Sequence, residues 1–163
     1  DLSKLESGGW TGRRESVDTK EVAQEAWQVV RDIEGKEGIS FDILGDLRVM
    51  GDREGLFHVF RNLLENSIRH TNSGGSINVS MALTQDSMVE VVISDNGEGI
   101  PAESLPRIFE RFYRADSARA RDFGGTGLGL AIVRHLVSEM GGEVVAESQL
   151  GQGTTVRFTV PTE

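Results

Sequence analysis

The chain has 163 residues, no cysteine and a formal net charge of -9 at pH 7. That length suits one domain with a real core, the missing cysteines exclude disulfides and thiolate metal sites and suit a reducing compartment, and the acidic balance argues against a nucleic-acid partner. No run approaches the roughly 18 to 20 apolar residues of a membrane span and the first residues do not resemble a signal peptide, so the segment is expected to be soluble, free of membrane contact and cytoplasmic.

The chain opens on Asp1, with Leu2 and Leu5 at helical spacing before Ser7, Gly8 and Gly9. This reads as the tail of a helix and its stop, so residues 1–9 are expected to be an upstream remnant and linker, and 10–163 the domain proper. Residues 15–17 suit a short edge strand. Asp18 suits the cap of a helix over 19–34 whose apolar side carries Val22, Ala26, Val29, Val30 and Ile33. Two short strands, 39–44 and 47–50, precede Gly51 and Asp52, where a second helix opens. At about 100° per residue, this helix puts Leu56, Phe57, Phe60, Leu63, Leu64, Ser67 and Ile68 on one side and Asn62, Glu65, Asn66 and Arg69 on the other. Asn is a mediocre helix former that a merely solvated face has no reason to prefer. Two of them one turn apart suggest a ligand-bearing face, and their amide oxygens suit a hard cation.

Residues 72–75 end that helix, and alternation predicts strands over 77–83 and 89–94. Continuing the period, Asp95 points the same way as Val89, Val91 and Ile93, toward the core, where an unpartnered carboxylate is costly. It needs a partner, and a ligand would supply one. From residue 96 to 126 the pattern loosens around Gly97, Gly99, Pro101 and Pro106, with a short apolar patch at Ile108, Phe109, Phe112 and Tyr113. Such a loop, with one or two helical turns, is expected to be a functional lid over about 97–126. Here also lie Arg107, Arg111, Arg114, Arg119 and Arg121, five of the seventeen basic residues. A glycine run at 124, 125, 127 and 129 leads into a helix with Leu130, Val133, Leu136, Val137 and Met140 on one side. Strands over 143–147 and 154–160, joined by a turn at 150–153, complete the pattern. The expected fold is α/β (α+β), a two-layer sandwich of a mixed sheet with helices on one face.

Glycines at the mouth of a helix let a phosphate approach backbone N–H groups at the positive end of the helix dipole. The spacing of Gly125, Gly127 and Gly129 is neither the dinucleotide fingerprint nor a P-loop. Asp122-Phe123-Gly124 spells a protein-kinase motif, but its companion catalytic-loop and lysine-strand motifs are missing, so the match is chance.

Taken in order, the stretch from Asn62 to Thr71, the run Asp95-Asn96-Gly97-Glu98-Gly99-Ile100, the stretch from Ile108 to Arg114 and the run Gly125-Thr126-Gly127-Leu128-Gly129-Leu130 resemble four boxes. These are the N, G1, F and G2 boxes of the ATP-binding catalytic domain of bacterial two-component sensor histidine kinases. That domain has the Bergerat-type fold of the gyrase, Hsp90, histidine kinase and MutL superfamily, and the resemblance covers roughly residues 18–161. It implies ATP and Mg²⁺ as cofactors. Asp95 would accept a hydrogen bond from the adenine amine, Gly97, Gly99 and Ile100 would pass close to the base, and Asn66 with Asn62 would hold Mg²⁺. Arg69 and His70 stand where the family usually has Lys and often has Tyr, keeping donors near the phosphates. Arg114 would meet the γ-phosphate, Gly125, Thr126, Gly127, Leu128 and Gly129 would cradle the phosphates, and Thr154 would lie on the nucleotide floor, in a ligand contact or a structural hydrogen bond.

None of His58, His70 and His135 carries the family's phosphoacceptor pattern, so no catalytic residue is assigned within the chain. The resemblance implies that the domain donates the ATP γ-phosphate to a His on a separate dimerisation domain, for relay to a response regulator receiver domain. The fragment would then be monomeric, within a homodimeric protein with room for a membrane anchor upstream. An ATP-hydrolysing relative and a nucleotide-binding module without transfer activity are the alternatives. In hydrolysing members the position matching Asn62 is a Glu that activates water, a role a neutral amide cannot fill near pH 7.

Overall fold

The computed structural model describes residues 14–110 and 129–163. In chain order the elements are β1 (Glu15–Asp18), α1 (Thr19–Val30), β2 (Ser40–Leu44), β3 (Arg48–Gly51), α2 (Arg53–His70), β4 (Ser76–Leu83), β5 (Met88–Asp95), α3 (Gly129–Glu139), β6 (Val144–Gln149) and β7 (Gly153–Pro161), with a 3-10 turn over Leu105–Arg107. Two aspartates set the starts of α1 and α2. Asp18 Oδ1 accepts from the Glu21 N–H at 3.2 Å and Asp52 Oδ1 from the Glu54 N–H at 3.2 Å, each satisfying a donor that a helix start leaves orphaned.

The main sheet runs β2-β4-β5-β7-β6, and only the β2–β4 pair is parallel. It is therefore mixed, as expected. A second, two-stranded sheet pairs β1 with β3, and a bridge from Val49 to Thr162 joins it to the end of β7. Alternation sends Ile77, Val79, Met81, Val89, Val91, Ile93, Val156, Phe158 and Val160 into one core with the apolar stripes of the three helices. Phe60 of α2 meets Phe158 edge to face, with ring centroids 5.5 Å apart, at the centre of that core.

One boundary differs from expectation. Helix α1 ends at Val30 rather than at residue 34, and successive turns follow, with Ile33 N–H donating to Val30 O and Gly35 N–H to Asp32 O. Val29 and Ile33 are 59% and 49% exposed, so the apolar stripe has nothing to bury there. The chain instead leaves the helix axis and brings Lys36 to the C-terminus of α2. Its ammonium donates to Ile68 O at 2.6 Å and Arg69 O at 2.8 Å, satisfying two carbonyls of the last turn.

Candidate nucleotide-binding site

Asp95 closes β5 on the inward face, opposite Ile77 of β4 and Thr154 of β7. One carboxylate oxygen, Oδ1, accepts from the N–H groups of Gly97 at 3.0 Å and Thr154 at 3.2 Å. Burial pushes its pKa upward, opposed by those two hydrogen bonds, by one from Ser67 and by the nearby His70. A desolvated carboxylate held in place by the backbone is what the strand period anticipates.

Two glycines let the chain turn tightly after it. A side chain at Gly97 would run into the His70 carbonyl, and one at Gly99 into the Gln149 carbonyl; Gly99 also has φ +79°, which favours glycine. Glu98 N–H donates to His70 O at 3.0 Å, and the His70 Nδ1 and Glu98 Oε1 lie 2.9 Å apart. The start of the loop is thereby clasped to the end of α2. Glu98 O accepts from Gly151 N–H at 2.8 Å, and the N–H of buried Ile100 donates to Ser148 Oγ at 2.7 Å. Ser104 and Ile108 are buried as well. The described part of the expected lid is thus hydrogen-bonded at its start to β6 and the β6–β7 turn.

The polar face of α2 divides in two. Asn62 donates its amide N–H to His58 O at 2.7 Å, which leaves its Oδ1 toward Gly129 at the start of α3; a Cβ built on that glycine would lie 3.0 Å from the oxygen. Asn66, one turn on, makes no side-chain hydrogen bond to a described residue. Arg69 turns the other way, with Nη2 2.6 Å from Glu65 Oε1 and Nε 3.3 Å from Glu34 Oε1, all three side chains being largely covered. The structure therefore brings Asp95, Gly97, Gly99, Ile100, His70 and Thr154 together and sets Asn62 against Gly129, but it commits Arg69 to two carboxylates. Arg114, Gly125, Thr126, Gly127 and Leu128 lie outside the described residues.

Mg²⁺ fits this donor set in kind. A hard cation takes oxygen ligands and accepts few of them from protein, and two half-buried amide oxygens on one flank of a helix offer that without excess charge. Among the described residues no group of three or more His, Cys, Asp or Glu is placed to hold a metal by itself.

The sequence reading passed over Ser148, Ser67, Lys36 and Glu98. Ser148 had the same signal as Asp95: it follows Val144 and Ala146 on the inward side of β6, a polar residue in an apolar alternation.

Residues 51–163 match the family model described as histidine kinase-, DNA gyrase B-, and HSP90-like ATPase. The chain belongs to this family. The signal transduction histidine-protein kinase BaeS of Escherichia coli is 34% identical over 164 residues, which covers 99% of this chain and 35% of BaeS. Among solved structures, the mycobacterial sensor histidine kinase MprB superposes with a TM-score of 0.80 at 30% identity, covering 92% of this chain and 98% of that one. Full-length ShkA in complex with AMPPNP gives 0.77 at 26% identity, covering 91% and 31%. This histidine kinase-type ATPase domain thus spans about a third of the length of BaeS and of ShkA. None of its described helices is long and apolar enough to cross a membrane.

Proposed function

We propose that the domain binds Mg-ATP and presents its γ-phosphate to a His on a separate helical hairpin of the same protein, the first step of relay to a response regulator. The observation that carries the reading is Asp95, a half-buried carboxylate fixed by two backbone N–H groups at the inner end of β5, an acceptor suited to an amine donor. That full-length ShkA, which shares this fold over about a third of its length, forms a complex with AMPPNP supports a nucleotide ligand. Asn62 and Asn66 would hold Mg²⁺, which would neutralise charge on the phosphates. His70, the glycines through Gly129 and the loop residue Arg114 would complete the phosphate end, where transfer depends on positioning and charge neutralisation. The protein as a whole would work as a homodimer around the acceptor hairpins.

Supplying a phosphoacceptor hairpin with γ-labelled ATP and Mg²⁺ tests the reading. Acid-labile, base-stable label on the hairpin His is expected; binding of ATP with no transfer to any hairpin would reduce the domain to a nucleotide-binding module.

A further inference from the structure

Ser148 near the end of β6 has one hydroxyl and three hydrogen-bond partners. The Ile100 N–H lies 2.7 Å from its oxygen, the Gly153 carbonyl 2.9 Å and the Thr154 hydroxyl 2.9 Å. A serine hydroxyl has one hydrogen and two lone pairs. Gly153 O can only accept, so it takes the hydrogen; Ile100 N–H can only donate, so it takes one lone pair. The remaining lone pair accepts, and the partner there, Thr154, must donate its own hydrogen to Ser148.

That hydrogen is then unavailable to the pocket. Thr154 is 5% exposed and lies opposite Asp95 in the β5–β7 pairing, on the inward face with Val156, Phe158 and Val160. No described residue donates to its hydroxyl, so its lone pairs join the Asp95 carboxylate in a floor made of acceptors. Facing the 6-position of a purine, such a floor accepts an exocyclic amine and repels a carbonyl oxygen. We propose that Ser148 is a specificity-determining positioning residue, which fixes the Thr154 hydroxyl as an acceptor and so selects a 6-amino purine over a 6-oxo purine. The inference rests on the nucleotide-binding reading above and deepens it.

The test measures Mg-ATP and Mg-ITP affinities by calorimetry on the 163-residue chain; ITP carries a carbonyl and an N1 proton where ATP has an amine and a bare nitrogen. Ser148→Ala frees the Thr154 hydrogen to turn toward a carbonyl, and the preference for ATP over ITP should fall about tenfold, the worth of one hydrogen bond gained or lost. Ser148→Cys, nearly isosteric and only a weak acceptor, should fall in the same direction and serves if the alanine variant does not fold. Ser148→Thr, which keeps the hydroxyl, should retain the preference. In a Thr154→Val background, Ser148→Ala should leave the preference where Thr154→Val alone puts it, because the serine acts through that hydroxyl. A preference unmoved by both Ala and Cys, or moved equally with and without Thr154, overturns the inference alone. Failure of the unaltered chain to bind ATP overturns the underlying reading and the inference with it.

Discussion

Asp95 concentrates the electrostatics of the site. Replacing it with Asn removes a charged acceptor while keeping shape, so Asp95→Asn should weaken ATP binding about ten- to a hundredfold, measured by calorimetry, with the fold intact. The same residue gives a pH signature without nucleotide. Because burial raises its pKa, the native state holds its proton to higher pH than the unfolded chain does. Its stabilising effect is complete below the ordinary value of 3.8 and is lost as pH rises through the native pKa, so stability falls across that window. Thermal melts of the chain and of Asp95→Asn should therefore diverge as pH climbs from 3.8, the variant becoming relatively more stable; parallel curves would show that the carboxylate is not desolvated. At this scale much was legible in the sequence. The strand period alone turned Asp95 inward, whereas Glu34, one of the two partners of Arg69, was hidden, because it approaches only through the turns that follow α1.

The N-terminal caps and alternation define most of the elements, since Asp18, Asp52 and the apolar periods act locally. What local signals missed is how one element ends against another. Lys36 caps α2 from 32 positions away in sequence from Ile68, and no periodicity reports such a contact. Lys36→Met should destabilise the fold by about 1 kcal/mol in urea titrations, as expected for a charged group on helix-terminal carbonyls, and should speed amide exchange in the last turn of α2. Exchange unchanged there would mean that water replaces the ammonium without loss. The expected lid shows a similar limit. Its glycines and prolines suggested a loop loose from residue 97, but the Ser148 hydroxyl and the Gly151 N–H hold the first residues. The Ile100 amide should therefore be protected from exchange with or without nucleotide, and protection appearing only with nucleotide would make this segment part of the moving lid.

For the molecule as a whole, one core carries both the sheet and the helix that bears Asn62 and Asn66. Phe60 is fully buried against Phe158 at its centre, so Phe60→Ala should cost about 3 to 5 kcal/mol and lower the unfolding midpoint correspondingly. That packing also fixes which chemistry α2 offers. Asn62 presents a neutral amide, and Glu65, the nearest carboxylate on the helix, is held by Arg69 at 2.6 Å. Neither is a poised general base, so on the proposed reading α2 would activate no water near the γ-phosphate and the phosphoryl group would be kept for a histidine. The fate of labelled γ-phosphate with the isolated chain and Mg²⁺ measures this directly. The account predicts bound ATP, negligible release of inorganic phosphate and no stable label on His58, His70 or His135. Steady release of phosphate by the pure chain, abolished by Glu65→Gln, would contradict it and make the domain an ATPase.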